Sequence, residues 1–455
     1  MNRNMIRITA LVVMFSMLLS LGVSAVTNPP MTQAGAVLLI NADTGDILYG
    51  KNENQRMFPA STTKIMVALL ALEKLELDEL VTASASAVSI LPPGHTNIGI
   101  KSDESLSVRQ LLYGLMLASA GDAANVLGER ISGSVDEFVK LMNTRALELG
   151  MKNTNYMNAS GAHSPLHYTT ASDMALLARE VMKNEIFREI VKTDVYIIPP
   201  TEKYEEERRL LNTNHLVSKK RSSKYFYKYA TGIKTGFTND AKRCLVASAE
   251  KNGISLITVV LGADVVDLQM MDFVDTTNLF EYGFANYKNE NLVTKGSIVA
   301  QAPIKSAKGE NRVLLEAGGN VSKLIGIDEA LGEITHTDTI NKNIKAPVAR
   351  GEVLGQAEYF VDNVSIGKID LVATKDYAFD PIKNILGVVA SIFTSPWLYL
   401  PFVLFFIVLV IIRQYNYNRK RRERAEARRL QKEQEAEKRR AEMKKDIYVR
   451  EFLDK

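Results

Sequence analysis

A serine stands three positions before a lysine in PASTTKIMVALLALEKL, residues 59 to 75, and the stretch then runs apolar on every side. Residues three apart on a helix share a face, so the Lys64 amine can reach the Ser61 hydroxyl. A helix start also offers unpaired backbone N–H groups and the positive end of the dipole, both of which favour an oxyanion forming there. Burial would lower the lysine pKa and leave a neutral amine able to act as a base. That pattern suits nucleophilic acyl transfer. A structural reading stands beside it, in which Ser61 caps the helix and Lys64 extends to water.

Two further stretches could serve the same chemistry. In Lys234-Thr235-Gly236 a cation and a hydroxyl precede a glycine that lets a ligand approach the backbone, which makes a carboxylate anchor. Ser119, in LASAGDAAN, falls in a short break between two helices, where a hydroxyl could relay a proton to a leaving amine. Either can be read alone as an ordinary surface lysine or a loop serine. Their order along one chain is what joins them to Ser61 and Lys64.

The elements that must position these residues are legible. AVLLINADTGDILYGK reads as two strands about a turn at Asp43-Thr44-Gly45-Asp46, leading into a helix from Ser61 to about Leu75 with no polar face, as expected of a central buried helix. Helical spacing recurs in SLSVRQLLYGLMLAS, in SVDEFVKLMNTRALELG with a Ser134 to Glu137 capping box, and in TTASDMALLAREVMKN with Thr170 as cap. Strands are expected at Arg243 to Ala249 and Ser255 to Leu261, joined at Lys251-Asn252-Gly253, with a helix near Asp272 to Tyr287. Helices enclosed between early and late strands imply an α/β domain whose sheet draws on both ends of the segment, with a helical cluster beside it. From about Asn289 to Lys375 short alternating stretches indicate a small all-β module.

The two ends carry targeting signals. Residues 1–25 have Arg3 and Arg7, an apolar run and a Val23-Ser24-Ala25 ending, the layout of a cleavable export signal. After a juxtamembrane segment at 376–391, residues 392–412 form an apolar run long enough for one transmembrane helix, with Pro401 tolerable inside it and Trp397 and Tyr399 suited to the outer interface. The tail at 413–455 holds sixteen Lys or Arg against nine Asp or Glu, which places it in the cytoplasm and everything before the span outside. Its interspersed charges read as a solvated helix near anionic lipid.

The whole chain of 455 residues is +4, yet that surplus lies in the signal and the tail. The exported part is mildly acidic, so nucleic-acid binding is not expected. Cys244 is the single cysteine, which excludes an internal disulfide and leaves the core to stabilise the fold.

The set Ser61-Thr-Thr-Lys64, Ser119 and Lys234-Thr235-Gly236 resembles the low-molecular-mass penicillin-binding proteins, the serine-type D-alanyl-D-alanine carboxypeptidases. LLINADTGDILYGKNENQRMFPASTTKIMVALLALE, NASGAHSPLHYTTASDMALLAR and GIKTGFTNDAKRCLVASA are similar to that family as well, over roughly 34 to 375. The resemblance implies a penicillin-binding transpeptidase/β-lactamase-like domain at 26–288 and a β-sandwich at 289–375. It implies removal of the terminal D-alanine from peptidoglycan stem peptides, β-lactams as covalent inhibitors, the cytoplasmic membrane as anchor, and no metal or organic cofactor. By it Ser61 is the acylated nucleophile, Lys64 the base and Ser119 a proton relay. Lys234 and Thr235 hold the substrate carboxylate, and the backbone N–H groups of Ser61 and Phe237, the residue after Gly236, form the oxyanion hole.

Two departures from the family stand out. Where it has Ser-x-Asn, this chain has Ser119-Ala120-Gly121, so one amide partner of the substrate is missing, at a cost of about 1 to 3 kcal/mol. That implies slower turnover rather than none. Lys242 and Arg243 also stand where relatives tend to have glycine and an aromatic. Among rivals, a triad of Ser160 with His163 or His167 lacks a Gly-x-Ser-x-Gly elbow. A β-lactamase would need a rapid deacylating base, and this chain has no Glu-x-x-Leu-Asn-like segment between its second and third motifs. A catalytically silent peptidoglycan-binding or regulatory homologue draws its support from Gly121.

Overall fold

The computed structural model describes residues 28–92 and 94–453, so the expected export signal lies outside the described residues. The chain forms two compact units: the first runs through Thr294 and takes in Asn320–Thr337 and Glu358–Lys368, and the second holds Lys295–Gly319, Asp338–Ala357 and the chain from Ile369.

The first unit is built on five antiparallel strands: β1 (Ala36–Asn41), β2 (Ile47–Lys51), β3 (Ala230–Thr238), β4 (Lys242–Lys251) and β5 (Ile254–Ala263). Their order across the sheet is β2-β1-β5-β4-β3, so strands from both ends of the segment meet at β1 and β5. All six residues of β1 are buried, which a strand covered on both faces requires. Successive side chains point to opposite faces. Ala36, Leu38 and Ile40 accordingly enter the core shared with the helical cluster, while Val37 and Leu39 enter the core shared with Phe273, Leu279 and Phe280 of the helix Met271–Asn286. The β4–β5 hairpin turns at Asn252 and Gly253, both with positive φ, the backbone that a tight two-residue hairpin turn demands.

The expected helices form where their signals lie. Val108–Leu117 opens with a capping box between Ser107 and Gln110, Ser134 accepts from the Glu137 N–H at the start of Val135–Glu148, and Thr170 accepts from Asp173 before Ala171–Val181. The expected helix at Ser61 differs in its first turn. Ala60–Thr63 is a 3-10 turn, and the α-helix proper begins at Lys64 and ends at Lys74. Ser61 therefore does not cap this helix, and Lys64 does not reach water: it is 2% exposed.

Beyond Asn286 the chain turns to strands. Tyr287–Val293 pairs with Val321–Gly326, and a five-stranded sheet takes Ile298–Pro303, Arg312–Ala317, Val364–Ala373, Val353–Val361 and Ile334–Ile340 in that order. The helix Pro381–Thr394 and the 58-residue helix Pro396–Leu453 follow, the latter running through Pro401. Among the described residues this is the one helical stretch long and apolar enough to cross a membrane. Arg419 with Glu423 and Arg429 with Glu433 pair one turn apart along the exposed tail, as a solvated helix predicts.

Candidate active site

The Ser61 turn is fixed by how tightly the backbone packs around it. Ala60 takes φ +48°, and Thr62 donates both its N–H and its hydroxyl to the Pro59 carbonyl. On one side lies Gly161, with φ +80°, where a Cβ would stand 2.1 Å from the Ala60 oxygen and 2.9 Å from the Ser61 nitrogen. On the other lies Gly236 of β3, where a Cβ would stand 3.0 Å from the Pro59 oxygen and 3.1 Å from the Ser61 nitrogen. Both glycines are needed for close backbone approach. Gly236 thereby brings the Lys-Thr-Gly strand against the serine.

Lys64 points its amine back along the turn. Nζ lies 3.0 Å from Ser61 Oγ and donates to the Ser160 carbonyl. Burial pushes its pKa down from 10.5 to about 7, against the opposing pull of the Asp122 carboxylate. A neutral amine can give an N–H to Ser160 and offer its lone pair to the Ser61 hydroxyl. The Ser160 carbonyl is itself held in place. Asn158 Oδ1 accepts from the Gly161 N–H at 2.8 Å, the Ala162 N–H at 2.9 Å and the Ser160 hydroxyl at 3.2 Å, and its Nδ2 donates to the Ala162 carbonyl at 3.0 Å.

Lys234 is 1% exposed, and burial together with the charge of Lys64 holds its pKa well below the usual lysine value. Its Nζ donates to the Thr235 carbonyl at 3.1 Å. The Thr235 hydroxyl lies 2.8 Å from that of Thr213, and the Thr213 N–H donates to the Leu117 carbonyl at 3.0 Å. Leu117 ends the helix that leads to Ser119, so one short chain of hydrogen bonds links the second stretch to the third. Ser119 is 6% exposed with φ +61° and stands between the helices Val108–Leu117 and Gly121–Ser132. Phe237 is 60% exposed beside Gly236. The seven residues singled out by pattern or by the family resemblance thus lie in one unit, on elements packed against each other.

The remaining groups separate into support and bystanders. His167 lies against Thr63, not Ser61: Nε2 is 2.9 Å from the Thr63 hydroxyl, and the Met157 N–H donates to Nδ1 at 3.4 Å. Burial pushes its pKa down to about 4, so it is a neutral positioning group. His163 packs edge-on against Phe58, with Nδ1 3.6 Å from Asp240. Lys242 pairs with Asp264 at 2.6 Å, and Arg243 grips the buried Asp272 through two nitrogens at 2.5 and 3.1 Å. These two departures from the family pattern are ion pairs. Asp122 accepts backbone N–H groups from Ile98, Ile100 and Ala123. Among the described residues no group of histidines, cysteines and carboxylates could hold a metal ion.

Asn158, Thr213 and the Ser160 carbonyl were missed by pattern reading. Asn158 had a signal, since Asn-x-Ser-Gly is turn chemistry in which the side chain bonds its own backbone. Thr213 carried none that separates it from any loop threonine.

Comparison with known proteins identifies the family of the chain. Residues 23–265 match the family model for D-alanyl-D-alanine carboxypeptidase, and residues 287–378 that for the C-terminal domain of penicillin-binding protein 5. The chain is 34% identical to D-alanyl-D-alanine carboxypeptidase DacF of Bacillus subtilis over 76% of its own length and 86% of the relative's. It is 36% identical to a D-alanyl-D-alanine carboxypeptidase of Streptomyces sp. strain K15, over 58% and 90%. Among solved structures, penicillin binding protein 5 from Haemophilus influenzae superposes with a TM-score of 0.55 at 28% identity, covering 77% of this chain and 99% of that one. The Streptomyces K15 DD-transpeptidase gives 0.52 at 33%, covering 57% and 100%.

Proposed function

The chain belongs to the D-alanyl-D-alanine carboxypeptidase family and is a serine peptidase, and from that premise we propose that it removes the terminal D-alanine of peptidoglycan stem peptides through an acyl-enzyme on Ser61. The observation that carries this reading is the buried Lys64 amine, 3.0 Å from the Ser61 hydroxyl with its pKa near 7.

Lys64 takes the Ser61 proton as Oγ attacks the carbonyl between the two D-alanines. The oxyanion forms against the backbone N–H groups of Ser61 and Phe237. The C–N bond then breaks, and the departing D-alanine amine takes the proton through Ser119. Water attacks the acyl ester as Lys64 takes its proton, and Lys64 then passes that proton to Ser61 Oγ as the C–O bond breaks. Lys234 and Thr235 hold the substrate carboxylate. Lys234, buried and set against the charge of Lys64, gives up its proton more readily than an ordinary lysine. A carboxylate arriving at Lys234 draws the proton there and leaves Lys64 neutral, the distribution the first step needs. A β-lactam, entering with its own carboxylate, acylates the same serine.

The apolar helix anchors the enzyme to the cytoplasmic membrane in one pass. Trp397 and Tyr399 sit at the outer interface, the catalytic domain at 26–288 and the β domain at 289–375 lie outside, and the basic tail from Arg413 lies in the cytoplasm. The test is release of free D-alanine from a diacetyl-Lys-D-Ala-D-Ala peptide by the full chain in detergent. Release by wild type and none by Ser61→Ala supports the reading, and equal rates contradict it.

A further inference from the structure

The missing side chain at Gly121 does not leave a vacancy. A Cβ there would lie 2.5 Å from Leu91 Cδ1, 3.4 Å from Leu91 Cδ2 and 3.3 Å from the Thr96 carbonyl. The first of these distances is far inside van der Waals contact, so the Leu91 methyls occupy the ground on which a side chain at 121 would begin. Leu91 is held there from both directions. Upstream, the Ala87 carbonyl accepts from Asn125 Nδ2 at 3.2 Å, fixing the short helix Ala85–Ser89 against the helix Gly121–Ser132. Downstream, the Gly121 N–H donates to the Thr96 carbonyl at 2.8 Å, and the Ile98 and Ile100 N–H groups donate to Asp122 at 3.1 and 3.0 Å. Leu91 itself is half-buried, and the Gly121 it covers follows Ser119 by two residues in the chain.

We propose that Leu91 is a specificity-determining residue: together with Gly121 it faces the acyl half of the substrate with an apolar wall where family members with Ser-x-Asn present an amide. The proposal rests on the acyl-enzyme reading above. A leucine cannot bond a peptide group of the substrate. A site that hydrogen-bonds its substrate rejects analogues lacking the partner strongly, whereas an apolar wall discriminates only by fit. This enzyme therefore depends little on a hydrogen-bonding group on the acyl side of its substrate, and its selectivity there can be changed from residue 91 without touching Ser61, Lys64 or Ser119.

The test uses the detergent-solubilised full chain and two probes, benzylpenicillin, which carries a 6-acylamino group, and penicillanic acid, which lacks it. Acylation rate constants are measured for wild type, Leu91→Asn and Leu91→Ala, with melting temperatures to verify folding. Leu91→Asn, which sets an amide at that wall from the loop side, is expected to raise the benzylpenicillin to penicillanic acid ratio about tenfold. Leu91→Ala, which removes the wall but adds no amide, is expected to slow both probes and leave their ratio within about twofold. Folded variants whose rates and ratio both match wild type overturn the proposal alone. A wild type that neither probe acylates overturns the acyl-enzyme reading, and this proposal with it.

Discussion

Lys64 Nζ lies 3.0 Å from Ser61 Oγ and donates to the Ser160 carbonyl, so one buried amine is pinned between the hydroxyl it would deprotonate and a backbone oxygen that fixes its direction. The lysine is held by the loop Asn158–Ala162 as much as by its own helix. Burial brings the pKa of that amine down to about 7.

The first prediction concerns pH. With a Lys64 pKa of about 7, the rate of Ser61 acylation rises roughly tenfold per pH unit below pH 7 and levels off above it, as the neutral base accumulates. Lys64→Met lowers the rate by about 10²- to 10⁴-fold and removes this dependence. Stopped-flow or quenched labelling from pH 5 to 9 measures both.

The same shift has a stability counterpart of definite sign. The unfolded chain keeps the Lys64 proton up to about pH 10.5, while the folded one gives it up near 7, so between these values the unfolded state binds more protons. Relative to Lys64→Met, wild-type unfolding free energy therefore increases with pH across this window, by at most about 1.4 kcal/mol per unit. Urea titrations of both proteins at pH 7, 8 and 9 read the difference, and a flat difference contradicts a buried neutral lysine.

Gly161 tests the packing of the Ser61 turn. A methyl at φ +80° would fall 2.1 Å from the Ala60 oxygen, so Gly161→Ala must displace the turn. It is expected to cost at least about 2 kcal/mol and lower the melting temperature by roughly 4 to 8 °C. Acylation falls with it, because Ser61 moves relative to Lys64.

Asn158 separates positioning from binding. Asn158→Ala leaves the Gly161 and Ala162 N–H groups without their acceptor and loosens the Ser160 carbonyl, at about 1 to 3 kcal/mol. Since nothing that touches the substrate carboxylate changes, kcat is expected to fall and KM to stay near wild type.

Arg243 separates structure from chemistry. Its two bonds to Asp272 compensate a carboxylate whose side chain is wholly buried, so Arg243→Ala is expected to destabilise the fold by about 3 kcal/mol. Ser61 labelling in the folded fraction stays intact. Thermal melts beside active-site titration distinguish the two effects.

The sequence conveyed the placement of the candidate residues where chemistry and periodicity coincide in a short window. Helical spacing carried Ser61 beside Lys64, and alternation with hairpin residues carried β4 and β5. What it did not convey depends on contacts between distant segments. The 3-10 turn at Ala60–Thr63 follows from Gly161 and Gly236 closing on it, a hundred or more residues away. Asn158 holds a loop whose turn pattern does not say what it supports, and Thr213 meets Thr235 only once the chain has folded. His167, a plausible catalytic base by residue type, is claimed by Thr63 once the loop folds. Arg243 reads as a departure within the motif until Asp272, on another element, is seen to neutralise it.

The most direct measurement of the central claim is intact-mass analysis of the full chain after incubation with benzylpenicillin, followed by peptide mapping. The account predicts one added penicilloyl group, on Ser61, absent in Ser61→Ala and greatly slowed in Lys64→Met. No adduct on folded wild type, or an adduct that persists in Ser61→Ala, contradicts it.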